Sequence, residues 1–144
     1  MGDFWSNAVR HPEDVGVGHI RRTVNFDTGF SGTLGVPIGA LEAGSIPVRA
    51  YVTIQTVYNA GTTNVLVLGT AADDDGFVTS ANAVAGTLGT KVGTGVQLGT
   101  PLVVDTVVYA KFTQTGTAAT TGKATVWVEF LNKRELEGIP FPNN

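Results

Sequence analysis

This sequence predicts an all-β protein, a single β-sandwich or jelly-roll-like domain with extended arms at its N- and C-terminal ends. Three observations carry that expectation. Residues 46–58 and 102–131 alternate apolar and polar side chains with a period of two, which is how a strand with one buried face reads. Charged residues make up only 15% of the chain, below the roughly 25% of ordinary soluble domains. Thr, Val, Ala and Gly take their place; Thr and Val favour pleated surfaces, Gly favours turns. Glycine, 19 in all, also recurs every few residues between 86 and 100, a spacing that fits short extended pieces with bends better than any helix. At 144 residues the chain has room for one domain whose core needs no staples. The expected body is nearly helix-free.

Residues 1–18 read as an arm. Phe4 and Trp5 lie in a stretch with no sustained period, and termini are usually disordered unless tied down. They dock either on the protein's own body or on a neighbouring subunit, and the second reading is favoured. The body is expected over residues 19–131. Its first strand runs from 19 to 26, with Ile20, Val24 and Phe26 on one face and Arg22 interrupting it, which points to an edge or an interface. A turn at 29–32 precedes a short strand at 33–38, where Pro37 implies an edge or a strand end.

Residues 46–68 read as the central hairpin. Ile46, Val48, Ala50, Val52 and Ile54 share one face, and Pro47, Arg49, Tyr51, Thr53 and Gln55 the other; residues 59–62 form a turn, and the evenly apolar 64–68 implies cover on both sides. Residues 69–76 are a loop by composition, and 77–85 fit either a short strand or a helical turn. A second long hairpin follows. Its first strand, 102–114, sets Thr106, Val108, Ala110 and Phe112 against Val107, Tyr109, Lys111 and Thr113; its second, 123–131, sets Ala124, Val126, Val128 and Phe130 against Thr125, Trp127 and Glu129. Both hairpin loops contain Gly-Thr. Residues 132–144 form a second tail, where charges give way to Ile139-Pro140-Phe141-Pro142, which cannot be regular structure.

The composition also bounds function. A net charge of −3 argues against binding nucleic acid through phosphate neutralisation. Without cysteine there are no disulfides or thiolate metal sites. No apolar run approaches a membrane span, and Met1 to Trp5 lack a signal-peptide layout, so synthesis in the cytoplasm is expected. So few charges imply either a surface covered by something else or a neutral, Thr-coated monomer.

Residues 116–123 resemble a phosphate loop but have five residues between the glycines and Ala124 after Lys123. Asp73-Asp74-Asp75 lacks the alternating acids of a Ca²⁺ loop and reads as a solvated turn. His11 and His19 lie in or beside the arm, and Asp27, Asp105 and Glu129 are scattered, so no catalytic or metal-binding set is expected and no cofactor.

Residues 52–76, from Val52-Thr53-Ile54-Gln55 through Asn59-Ala60-Gly61-Thr62 to Asp73-Asp74-Asp75-Gly76, resemble small head proteins of tailed bacteriophages. So do residues 108–130, from Val108-Tyr109-Ala110-Lys111 through Gly116-Thr117 and Gly122-Lys123 to Val126-Trp127-Val128-Glu129-Phe130. The resemblance covers residues 33–131. It implies a capsid decoration, or cement, protein, often trimeric, sitting on the outer shell; together with the charge, hydropathy and motifs above, the expectation is a non-enzymatic virion component bound to the major capsid protein, with no nucleic-acid or membrane partner. Under that reading Phe4, Trp5, Ile139 and Phe141 are apolar anchors, and Arg10, Arg21 and Arg22 pair with carboxylates on the shell or a sister subunit. The alternative is a phage fibre, tail or carbohydrate-binding adhesion module with Tyr51, Tyr58, Tyr109 and Trp127 as an aromatic platform.

Overall fold

The structure is a computed structural model that describes residues 17–30 and 33–132. Phe4, Trp5, Arg10, Ile139 and Phe141 lie outside the described residues, as does His11. Seven strands and no helix are present among the described residues: β1 (Val17–Asn25), β2 (Val36–Leu41), β3 (Ile46–Thr56), β4 (Thr63–Gly69), β5 (Gly89–Val92), β6 (Thr106–Thr115) and β7 (Lys123–Leu131). They form two sheets, β1-β7-β3-β5 and β2-β6-β4, and every pairing is antiparallel. The protein is an all-β sandwich, as its periodicity predicts.

Successive strands alternate between the two sheets, so every connection crosses the sandwich. This corrects both expected hairpins. β3 pairs with β7 and β4 with β6, so 46–68 and 106–131 are arches whose two strands lie in opposite layers. The physical reason is cover. A hairpin points both apolar faces the same way and leaves them bare, whereas an arch turns them toward each other across about 10 Å. Val52 and Ile54 of one layer then meet Leu66 and Leu68 of the other in the same buried cluster.

The alternation sets most of the core. Ala50, Val52, Leu66, Leu68, Val108, Ala110, Val126 and Val128 are fully buried. Val67 is buried too, on the outward side, where it sits opposite Lys111 in the register, so the expected double cover of this strand holds. The alternation fails at the start of β3. A register shift between Pro47 and Arg49 inserts Val48 as an extra residue, and Pro47 turns inward and is buried.

The remaining differences concern ends. β1 ends at Asn25, which leaves Phe26 in the following turn and 36% exposed. β2 begins three residues later than expected and lies at a sheet edge, as Pro37 implies. Residues 102–105 are a loop ahead of β6. Residues 77–85 touch β4 through bridges at Val78 and Val84, a strand remnant along its edge.

Candidate interaction surfaces

One end of the sandwich gathers the features that sequence reading spread along the chain. Val17, Leu131 and Ile46 share one row of the register, so the chain enters and leaves the body side by side. The turn at 42–45 and the segment at 99–105 close the same end. The amide of Gly44 donates to the Leu102 carbonyl at 2.7 Å, that of Leu102 to Ser45 at 2.9 Å and that of Gly99 to Pro47 at 2.6 Å. The opposite end holds the two arch loops.

A cleft of about 510 Å³ opens beside this closed end, between residues 70–72, Gln97 and the stretch from Thr100 to Tyr109. Val107 and Tyr109 lie on the outward side of β6, since Val108 and Ala110 face the core. Val103 is 91% exposed and Val104 62%, large values for adjacent valines. Several polar groups of the cleft are already bonded within the chain. The Gln97 side-chain amide donates to Thr70 Oγ1 at 3.1 Å, and Asp105 accepts the Ala43 amide at 2.9 Å. What remains for a partner is mostly apolar surface, with Thr100, Tyr109 and one charged residue, Asp105, also in the lining, close to the composition of an interface core. Sequence reading missed it by assigning 102–105 to a strand. The available signal was Leu102-Val103-Val104, three apolar residues in succession that break the alternation.

The outward face of the four-stranded sheet is a second surface, arranged in rows. His19, Glu129 and Arg49 form one; Arg21, Trp127, Tyr51 and Val92 the next; Thr23, Thr125, Thr53 and Thr90 the third. The threonines hydrogen-bond in pairs, at 3.3 Å between Thr23 and Thr125 and 2.9 Å between Thr53 and Thr90. Tyr51 and Trp127 pack tilted, with centroids 5.3 Å apart. A hydrogen bond donated to the Tyr51 side chain and electrostatic attraction to it, then the charge of Glu129, raise the pKa of Arg49. Of the four candidate platform aromatics, the structure brings together these two. Tyr58 is a core residue, and Tyr109 belongs to the cleft.

Arg21 and Arg22, adjacent in sequence, point to opposite sides of β1. Arg21 stands in the outward aromatic row. Arg22 Nη1 donates to the Pro37 carbonyl at 2.8 Å, tying β1 to β2 across the open edge of the sandwich, where Gly39 and Ile20 also approach closely.

The three aspartates of 73–75 can bring one oxygen each within 4.8 Å of the others. Asp74 is already paired with Lys111 at 2.6 Å, and Asp75 accepts the Ser80 amide at 3.2 Å. The turn packs so closely on Gly69 that a Cβ there would strike the Asp73 carbonyl. These contacts explain an acidic turn by structure. In the loop at 116–122 the amides of Thr120 and Thr121 are taken by Asn59 Oδ1, at 2.8 and 3.0 Å, in a strand–loop–strand setting.

No family model matches this chain, and no curated protein matches it. Solved structures similar to it include a chain of the cyanophage Pam1 capsid asymmetric unit, at TM-score 0.64 and 19% identity over 86% of this chain and 90% of that one. Another is a chain of the acidic stable capsid structure of Helicobacter pylori bacteriophage KHP30, at TM-score 0.58 and 13% identity over 81% and 88%. At these identities the likeness is one of fold, and it extends over more than four fifths of each chain.

Proposed function

We propose that this protein is a bacteriophage virion component that binds the outer surface of the capsid and stabilises it, without enzymatic activity, as a trimer made in the host cytoplasm. The observation that carries the reading is that both similar structures are phage capsids, and that the matched chains are of closely similar length to this one. Each likeness covers more than four fifths of both chains. The strand order supports a jelly roll within the sandwich class: a four-stranded layer faces a three-stranded one, and the segment at 77–85, bridged to β4, takes the eighth position.

The geometry suits attachment. One end of a rigid body carries the chain's entry and exit, and the exposed valines of the cleft lie beside it. Phe4, Trp5, Arg10, Ile139 and Phe141 sit on the segments that leave from this end. On a symmetric shell, many copies and several weak contacts per copy multiply into firm attachment. The partner is the major capsid protein.

The test is co-sedimentation of the purified protein with capsids that lack it, followed by heating of bare and decorated shells. Saturable binding and a higher disruption temperature are expected; absence of both overturns the proposal. The packed pair Tyr51–Trp127, flanked by Arg21, Arg49 and Glu129, favours one second reading, a glycan-binding adhesion module. Glycan binding that Trp127→Ala abolishes, with no capsid binding, would establish that reading instead.

A further inference from the structure

We infer that the cleft beside β6 receives the C-terminal segment of a sister copy of this chain, with Ile139-Pro140-Phe141-Pro142 as the inserted residues. The inference deepens the oligomeric part of the proposed function and rests on it. The cleft needs an occupant, because adjacent valines at 91% and 62% exposure are open to water beside Val107 and Tyr109. A volume of about 510 Å³ suits a few apolar side chains rather than a whole domain face.

The tail has matching chemistry. Pro140 and Pro142 offer no amide hydrogen, so the segment needs few polar partners, which suits a cleft whose lining is mostly apolar. Proline-spaced segments dock in grooves lined by aromatic and apolar side chains, which Tyr109, Pro101 and the valines supply. Lys133 and Arg134, just before it, are opposite in charge to Asp105 and the nearby Glu42.

Reach and position favour a sister copy. Six residues lie between Asn132 and Ile139, and the span is roughly 20–25 Å when extended. β7 ends in one layer while Val107 and Tyr109 stand on the outward side of the other layer. The turn at 42–45, which carries the chain from one layer to the other, is hydrogen-bonded to the segment at 99–102 and closes this end. A tail leading away from its own closed end meets the same cleft on a neighbour without crossing that barrier. In a closed ring each copy then gives one tail and receives one.

The absence of cysteine makes the test clean. Val103→Cys and Phe141→Cys chains, carrying tags of different size, are co-expressed and oxidised. The expected result is a disulfide between the two chains at about ten times the yield from Thr62→Cys with Phe141→Cys, since Thr62 lies at the opposite end of the body. No excess over that control overturns the inference. So does a Val103→Cys/Phe141→Cys double variant that cross-links only within one chain, or equal cross-linking when Trp5→Cys replaces Phe141→Cys. Capsid co-sedimentation run in parallel separates the two proposals: binding without the cross-link sinks the tail exchange alone, and the cross-link without binding sinks the capsid role alone.

Discussion

Val52 and Thr53 are neighbours in sequence and opposites in setting. Val52 is fully buried, while Thr53 faces outward and shares a hydrogen bond with Thr90. Val52→Asp is expected to cost about 4 kcal/mol or to prevent folding, because a buried carboxylate has no partner there. Thr53→Asp should cost about 1 kcal/mol. Equal melting temperatures for the two would contradict the register. Tyr58 gives a pH-dependent counterpart. Its ring lies 4.6 Å from that of Phe112, its hydroxyl donates to the Val24 carbonyl at 2.9 Å, and burial raises its pKa well above the ordinary tyrosine value. An unfolded tyrosine loses its proton near pH 10, while the folded chain keeps this one. Stability is therefore at its full value below about pH 10 and falls as pH rises toward the folded-state pKa, by at most about 1.4 kcal/mol per pH unit. Tyr58→Phe should cost about 1 kcal/mol at neutral pH and remove that component of the alkaline decline. Denaturant titrations of both proteins from pH 8 to 11 check this, and parallel curves would count against it.

At the scale of elements, the arch loops explain why the two long segments look alike in sequence. β3 lies beside β7 and β4 beside β6, so the two Gly-Thr loops meet. The Gly61 amide donates to the Thr117 carbonyl at 2.8 Å and the Thr62 amide to Thr115 at 2.9 Å. Asn59 clamps them: its oxygen accepts both the Thr120 and Thr121 amides, and its nitrogen donates to Thr120 Oγ1 at 3.0 Å. Asn59→Ala should cost about 2–3 kcal/mol, seen as a lower melting temperature and faster amide exchange at Thr120 and Thr121. Protection unchanged at those amides would show that water replaces the clamp. Gly122 is the tight point of the same region, at φ 150°, where a Cβ would strike the Tyr58 ring.

For the whole molecule, the governing fact is polarity. The polypeptide enters and leaves at one end and turns its arches at the other. Val17 and Gly18 pair with Leu131 and Phe130, so an arm deletion should stop at residue 16; removing 1–18 would also cut into β1. Deleting 1–16 is expected to leave the melting temperature within a few degrees and to weaken capsid binding. Phe4 and Trp5 can each bury about 200 Å², roughly 5 kcal/mol gross per ring before ordering entropy is subtracted. Even about 1.4 kcal/mol net would change occupancy tenfold. Co-sedimentation and calorimetry of the truncation check both halves, and unchanged binding with a lower melting temperature would reassign the arm to the fold.

The sequence by itself determined the strands and their inward residues, because a two-residue period is a local property of extended backbone and apolar side chains must leave water. It also marked the edges, through Pro37 in β2 and Arg22 in β1, since neither suits a central strand. Tertiary structure decided the partners. Whether residues 46–68 make a hairpin or an arch depends on where the covering layer lies, and alternation within a strand carries no such information. The inward turn of Pro47 follows from a bulge that exists only against β7. The cleft was hidden for the same reason: Val103 and Val104 look like core residues until 99–102 is held against Ser45 and Pro47 and leaves them facing water.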